Sequence, residues 1–200
     1  AADTYQLSVV DFNGCPSNVV DYIVQPPLTL QANMTQDLTC ALNASITFVP
    51  GGGTGTYNAF EVSTDGGTNW ATVASNPYIT LVDGSYVFRV TDNQVPSCPA
   101  LSTAVVVTPK TTPTATPAQT NVSCNGGADG TITLTPSGGI LPYTFTLTGT
   151  GSNNSGDATG VYTGLIAGTY SVVVKDAKEC LSVAIPVTIT EPLELAATAT

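Results

Sequence analysis

One pattern, a tyrosine, alternating apolar residues, an aspartate and then a cysteine, occurs three times at a spacing of about 83 residues. The copies are Tyr5-Gln-Leu-Ser-Val-Val-Asp11 with Cys15, Tyr86-Val-Phe-Arg-Val-Thr-Asp92 with Cys98, and Tyr170-Ser-Val-Val-Val-Lys-Asp176 with Cys180. Apolar residues at period two that end at Asp before a turn describe a half-buried strand entering a hairpin. Other landmarks keep step: Pro26, Pro109 and Pro192 are each 83 apart, and Cys40 and Cys124 are 84 apart. The turn Pro50-Gly-Gly-Gly leads to Tyr57 with the same offset as Pro136-Ser-Gly-Gly to Tyr143. Differences in spacing fall between Asp and Cys, where a loop tolerates insertion. A period of this length means tandem modules.

Within the middle copy, strands are expected near Leu28–Ala32, Ser45–Val49, Tyr57–Ser63, Trp70–Ala74, Tyr78–Leu81, Ser85–Asp92 and Leu101–Thr108. Short strands with turn signals about every ten residues read as an immunoglobulin-like sandwich. Composition agrees: 42% of residues are apolar and 9% charged, with β-branched residues and turn-forming Gly and Pro abundant. The expected fold is therefore all-β, a tandem of immunoglobulin-like β-sandwich repeats in an elongated array. The boundaries read as residues 1–26, the C-terminal strands of a truncated repeat; 27–109 and 110–192, complete repeats; and 193–200, the first strand of a following one. Both ends read as cuts in a longer polypeptide. A Tyr opening the penultimate strand after Leu and Gly is the form of a tyrosine corner, assigned to Tyr5, Tyr86 and Tyr170; the alternative is an ordinary core tyrosine.

The repeat also organises the five cysteines, since each complete module holds one early and one late cysteine. The pairs expected are Cys40–Cys98 and Cys124–Cys180, with Cys15 left unpaired because its module is truncated. Each bridge would close nearly 60 residues, a constraint worth roughly 4 kcal/mol in the chain-entropy account. Disulfides place a protein in an oxidising compartment, secreted or on the cell surface. Isolated cysteines without histidine argue against zinc.

The third copy resembles the SprB repeat of large surface adhesins of gliding bacteria. The resemblance is carried by Val122-Ser-Cys-Asn-Gly-Gly-Ala-Asp-Gly-Thr-Ile-Thr-Leu-Thr-Pro-Ser-Gly-Gly-Ile-Leu-Pro-Tyr-Thr-Phe and by Gly164-Leu-Ile-Ala-Gly-Thr-Tyr-Ser-Val-Val-Val-Lys-Asp-Ala-Lys-Glu-Cys180. The middle copy departs from it, with Cys40-Ala-Leu-Asn at the opening and no Pro before Tyr57. The resemblance implies export through the type IX pathway and display at the cell surface.

Ser63-Thr-Asp-Gly-Gly-Thr-Asn-Trp70 has the form of an Asp-box, in which Asp and Gly shape a turn and Trp packs behind it. The competing reading makes Trp70 and Tyr78 a stacking surface for a glycan. Asp11, Asp92 and Asp176 recur at one hairpin and are candidate ligands for a junctional Ca²⁺; the alternative is that each accepts amides of its own turn. No other cofactor is expected. The chain has no histidine, which removes Ser-His-Asp and Cys-His catalysis, and it is not expected to be an enzyme. A net charge of −10 with four basic residues speaks against nucleic acid and anionic lipid, and no apolar run is long enough for a spanning helix. The function expected is a structural and adhesive segment of a large repetitive surface filament. Its partners would be neighbouring repeats, other filament subunits or surface polysaccharide. The alternatives are a passive stalk of a secreted enzyme or carbohydrate-binding protein, and a glycan-binding module built on Trp70.

Overall fold

The computed structural model describes residues 3–93, 98–153 and 155–198, and those residues contain strands, turns and no helix. The chain divides into two compact units. One gathers Ala1–Leu38 with Asn43–Thr108, the other Thr39–Leu42 with Pro109–Thr200.

In the first unit, β1 (Asp3–Leu7) and β2 (Val20–Val24) form a two-stranded antiparallel hairpin. The sandwich that follows has one sheet of β3 (Thr29–Gln36), β4 (Ala44–Gly51) and β7 (Tyr78–Thr80). Its other sheet is ordered β10 (Val105–Val107), β8 (Gly84–Val90), β5 (Glu61–Ser63) and β6 (Ala71–Thr72), with β9 (Ala100–Leu101) also paired to β8. The second unit repeats the plan with β11 (Thr114–Thr120), β12 (Gly130–Ser137) and β14 (Val161–Leu165) in one sheet. Its other sheet holds β13 (Thr144–Gly149), β15 (Gly168–Lys175) and β16 (Ile185–Ile189). Every pairing is antiparallel.

Period-two alternation sends every second side chain inward. From β4 these are Ala44, Ile46 and Phe48, and from β8 Tyr86, Phe88 and Val90, all at most 2% exposed. They meet in one core, where the Phe48 ring lies 4.7 Å from Phe60 and 5.1 Å from Phe88. The second core is built on Ile132, Leu134, Tyr170, Val172 and Val174, with Tyr162 and Leu165 fully buried. In the hairpin, Tyr5 faces Tyr22 across the ladder as Tyr170 faces Val187. There the positions that are core in the two sandwiches stay open, with Tyr5 48%, Leu7 57% and Tyr22 60% exposed.

Several strands differ from expectation, and the strand expected over Trp70–Ala74 is only Ala71–Thr72. Tyr57–Ser63 is strand only from Glu61, and Tyr57 makes an isolated bridge to Asp92. The last strand of the middle repeat is interrupted between β9 and β10, and a serine accounts for the break. The Ser102 amide donates to the Phe88 carbonyl at 2.9 Å while its hydroxyl accepts the Phe88 amide at 3.0 Å. One extra residue is thereby absorbed as a bulge. Ser182 grips Val174 in the same way, and Ser17 grips Val9. The expected strand at 193–200 does not form over 193–198, and residues 199–200 lie outside the described residues.

The cysteine pairing is corrected by the structure. Cys40 is bonded to Cys180, 140 residues away, with Cα atoms 5.0 Å apart, while Cys15, Cys98 and Cys124 are free and exposed. Cys40–Cys98 and Cys124–Cys180 do not form, for a reason of reach. Early cysteines lie in the connection between a repeat's first two strands, late ones in the loop after its Tyr-bearing strand. In the first sandwich the chain leading into the early connection sits where the Thr108 hydroxyl donates to Asp37. Cys98 lies instead beside Pro26, Leu28, Gly53 and Asp92, at the far end of β3. Eight residues of strand separate those ends, roughly 25 Å at the usual rise, several times what a disulfide spans.

Replacing Phe88 by alanine should remove about 3–5 kcal/mol from the first unit. The single tryptophan, Trp70, lies in that unit, so its fluorescence during urea unfolding reads the loss.

Candidate functional site

The most consistently rebuilt feature is the loop that carries the late cysteine. After β15, the Asp176 Oδ1 atom accepts the amides of Lys178 and Cys180, each at 2.9 Å, and the Asp176 amide donates to the Cys180 carbonyl. The same atom of Asp11 accepts the amides of Asn13 at 2.8 Å and Cys15 at 2.9 Å. One carboxylate therefore closes the turn and fixes the cysteine four residues on. In the middle repeat the corresponding stretch includes residues 94–97, outside the described residues.

The second oxygen of this aspartate reaches across to a glycine turn. Asp176 Oδ2 accepts the Ile140 amide at 2.9 Å, and Asp92 Oδ2 accepts the Thr54 amide at 3.0 Å. The preceding residues, Gly53 and Gly139, have φ of +61° and +65°. A Cβ there would stand 2.5 Å from Asp92 Oδ2 or 2.9 Å from Asp176 Oδ2. Positive φ and the close carboxylate both require glycine. Tyr57 and Tyr143 close the turn by donating their hydroxyls to the carbonyls of Gly52 and Gly138. Asp92 and Asp176 are buried, at 4% and 3% exposed, so the amide bonds also satisfy charge removed from water. The three aspartates considered for Ca²⁺ thus each serve as acceptors for backbone amides. Among the described residues no three His, Cys, Asp or Glu side chains gather as a metal group.

The tyrosines expected at corners occupy two kinds of place. Tyr86 donates to the Val82 carbonyl at 2.7 Å and lies 2.9 Å from the Thr80 hydroxyl; Tyr170 donates to the Ile166 carbonyl at 2.9 Å. In both the acceptor is four residues upstream, on the loop that crosses between sheets. Burial raises the pKa of Tyr170. Tyr5 lies on the exposed hairpin, and its fourth preceding residue is outside the described residues.

Ser63–Trp70 folds as a closed turn. Asp65 accepts the Ser63 hydroxyl at 2.7 Å and the amides of Thr68 and Asn69 at 3.0 and 2.9 Å, while Ser63 Oγ accepts the Gly67 amide. These bonds, led by the Asn69 amide and the Ser63 hydroxyl, hold the Asp65 carboxyl well below the usual carboxylate range. Trp70 Nε1 donates to the Gly67 carbonyl at 2.9 Å, and the Arg89 guanidinium covers its ring at 4.3 Å from the centroid. Arg89 is in turn paired with Glu61 at 2.6 Å, which lowers the Glu61 pKa through that hydrogen bond. Tyr78, in the other sheet, packs on Tyr86 and Phe88 with ring centroids 5.7 and 5.6 Å away. Trp70 thus packs against Arg89, and Tyr78 against Tyr86 and Phe88. The serine bulges and the Arg89 cover went unread in the sequence, although a serine does follow Cys15 and Cys180 by two residues.

Because the folded-state pKa of Asp65 is depressed, its contribution to stability is present above the ordinary aspartate value and is lost as pH falls through the folded one. A carboxyl-carbon NMR titration should therefore find Asp65 still ionised at pH 3, below the ordinary aspartate midpoint near 3.9. The Asp65→Asn variant should lose that acid-side signal without altering the second unit.

Comparison with known proteins adds the following. No curated protein matches the chain. Among solved structures, fibronectin(III)-like modules of Clostridium thermocellum CbhA share 16% identity over 84% of this chain and all of theirs, with a TM-score of 0.35. Murine CEACAM1b shares 17% identity over 83% of this chain and all of its own, with a TM-score of 0.34. Residues 116–152, which take in most of β11 and all of β12 and β13 in the second sandwich, match the family model described as the SprB repeat, so the SprB-type character read from that copy is shown there.

Proposed function

We propose that this chain is a stretch of a repetitive, adhesin-like surface filament, in which the sandwiches supply length and display and are not themselves catalytic. The observation that carries the reading is how the recurring polar residues are used. Asp11 and Asp176 organise the loop bearing their own cysteine, Asp92 and Asp176 pin the glycine turn, and Tyr86 and Tyr170 tie the crossover loop. Chemistry that recurs with the repeat serves the repeat. The SprB match at residues 116–152 supports placement in a cell-surface repeat protein, and the disulfide supports an oxidising, extracellular setting. Gliding motility and export by the type IX pathway extend that match. The partners that fit are neighbouring repeats and a polysaccharide or protein surface contacted elsewhere along the filament.

A glycan-binding role for Trp70 has less to stand on, since Arg89 covers one face of the ring and the Gly67 carbonyl takes its N–H. The two readings part in the surface-displayed protein. In-frame removal of residues 27–109 should reduce cell attachment in a graded way, and Trp70→Ala should leave attachment unchanged. Abolition of attachment by Trp70→Ala alone would favour a binding module and overturn the scaffold reading.

A further inference from the structure

The second unit contains a cysteine from outside its own repeat. Thr39–Leu42 lies in that unit although Leu38 and Asn43, its neighbours in sequence, belong to the first. The segment is seated there by more than its sulfur. The Cys40 amide donates to the Lys178 carbonyl at 2.9 Å, and Lys110 Nζ donates to the Thr39 carbonyl at 3.3 Å. Its own turn is closed by Thr39, whose hydroxyl accepts the Leu42 amide at 2.8 Å.

Each half of this arrangement has a counterpart at the repeat period. Cys98 is the late cysteine of the first sandwich, and it lines a cleft of about 330 Å³ with Pro26, Pro27, Gly53 and Asp92. In the second unit the corresponding residues are Pro109, Lys110, Gly139 and Asp176, and there Thr39–Leu42 is the segment bonded to Lys110 and Lys178. Cys124 is the other early cysteine, and its loop is already ordered. The Ser123 amide donates to Asp129 at 3.0 Å, the Gly126 amide to Glu191 at 2.7 Å, and Asn125 Nδ2 to the Pro192 carbonyl at 3.1 Å. The loop is thus held against the strand exit that leads onward, and Cys124 remains exposed.

We propose that the Cys40–Cys180 bond is one link of a staggered series, in which every early cysteine pairs with the late cysteine of the next repeat. Cys124 is then the donor to a repeat following residue 192, and Cys98 the acceptor for the early cysteine of a repeat preceding residue 27. Each bond forms by exchange with an oxidised disulfide donor such as oxidised glutathione. One thiolate attacks the donor and releases a glutathione thiol, and the second cysteine then displaces the other, so two protons and two electrons leave the cysteine pair for two glutathione thiols.

The stagger has a mechanical consequence, which rests on the filament reading whereas the pairing rests only on the repeat. A bond of this kind bypasses 140 residues. The stretch from a late cysteine to the next early one is short, 25 residues from Cys15 to Cys40 and 26 from Cys98 to Cys124. Under tension only those short stretches extend, even with every sandwich unfolded. Pairing inside each repeat would leave twice as many of them free to stretch.

The test is a chain in which residues 110–192 are duplicated directly after residue 192, oxidised in a glutathione buffer, alkylated and mapped by mass spectrometry. Cys124 should be joined to the late cysteine of the added copy, Cys40 to Cys180, and Cys98 should carry the alkyl group. In a Cys180→Ser version Cys40 should become alkylated and Cys98 should stay so. An alkylated Cys124, a Cys124–Cys180 bond, or a Cys40–Cys98 bond in the Cys180→Ser chain would each overturn the stagger. Loss of cell attachment through Trp70 bears on the filament reading alone and leaves this pairing standing.

Discussion

The strand length of a single sandwich is the constraint from which most of this structure follows. Eight extended residues in β3 and seven in β8 put the first turn of a repeat and its late loop at opposite ends of the same sandwich. A disulfide cannot cross that distance without dismantling the two sheets. Cysteines placed at both ends therefore cannot pair within their own repeat, and Cys40 is bonded instead to Cys180. The linkage is a result of geometry before it is a result of function.

Around that constraint, each end of the sandwich is tied by its own polar chemistry. At the late-loop end, a single buried carboxylate holds both the cysteine turn and the glycine turn facing it, as Asp176 does for Cys180 and Ile140. At the other end, Tyr86 and Tyr170 anchor the loop by which the chain passes from one sheet to the other. Between the ends lies an apolar core that tolerates exchange of aromatic for aliphatic groups. Phe88 in the first core is matched by Val172 in the second, with the alternation of β8 kept in β15. A small sandwich buries a limited area, so ties at its ends matter more than they would in a larger domain.

Much of this could be read in advance. The period located both sandwiches, because a strand that is half buried must alternate and a tyrosine before it must reach the crossover loop. The recurring Asp was visible too, and its alternative reading as a turn acceptor describes the bonds made by Asp11 and Asp176. The cysteine partner was not readable, since a period states which residues are equivalent and says nothing about which copy a side chain meets. Cys98 and Cys180 stand equally in phase with Cys40. Trp70 was ambiguous for a related reason: an indole recognised by its turn carries no sign of the Arg89 that covers it from a strand 19 residues later.

The four basic residues make the central claim directly measurable. Trypsin, cutting after Arg89, Lys110, Lys175 and Lys178, places Cys15 and Cys40 in residues 1–89, Cys98 in 90–110, Cys124 in 111–175 and Cys180 in 179–200, and fragment-ion sequencing of 1–89 tells its two cysteines apart. Digestion of the oxidised, alkylated chain without reductant should yield fragment 1–89, alkylated at Cys15, joined through Cys40 to 179–200, with 90–110 and 111–175 each carrying an alkylated cysteine. Fragments 1–89 joined to 90–110, and 111–175 joined to 179–200, would mean that each sandwich closes on itself and would contradict the account.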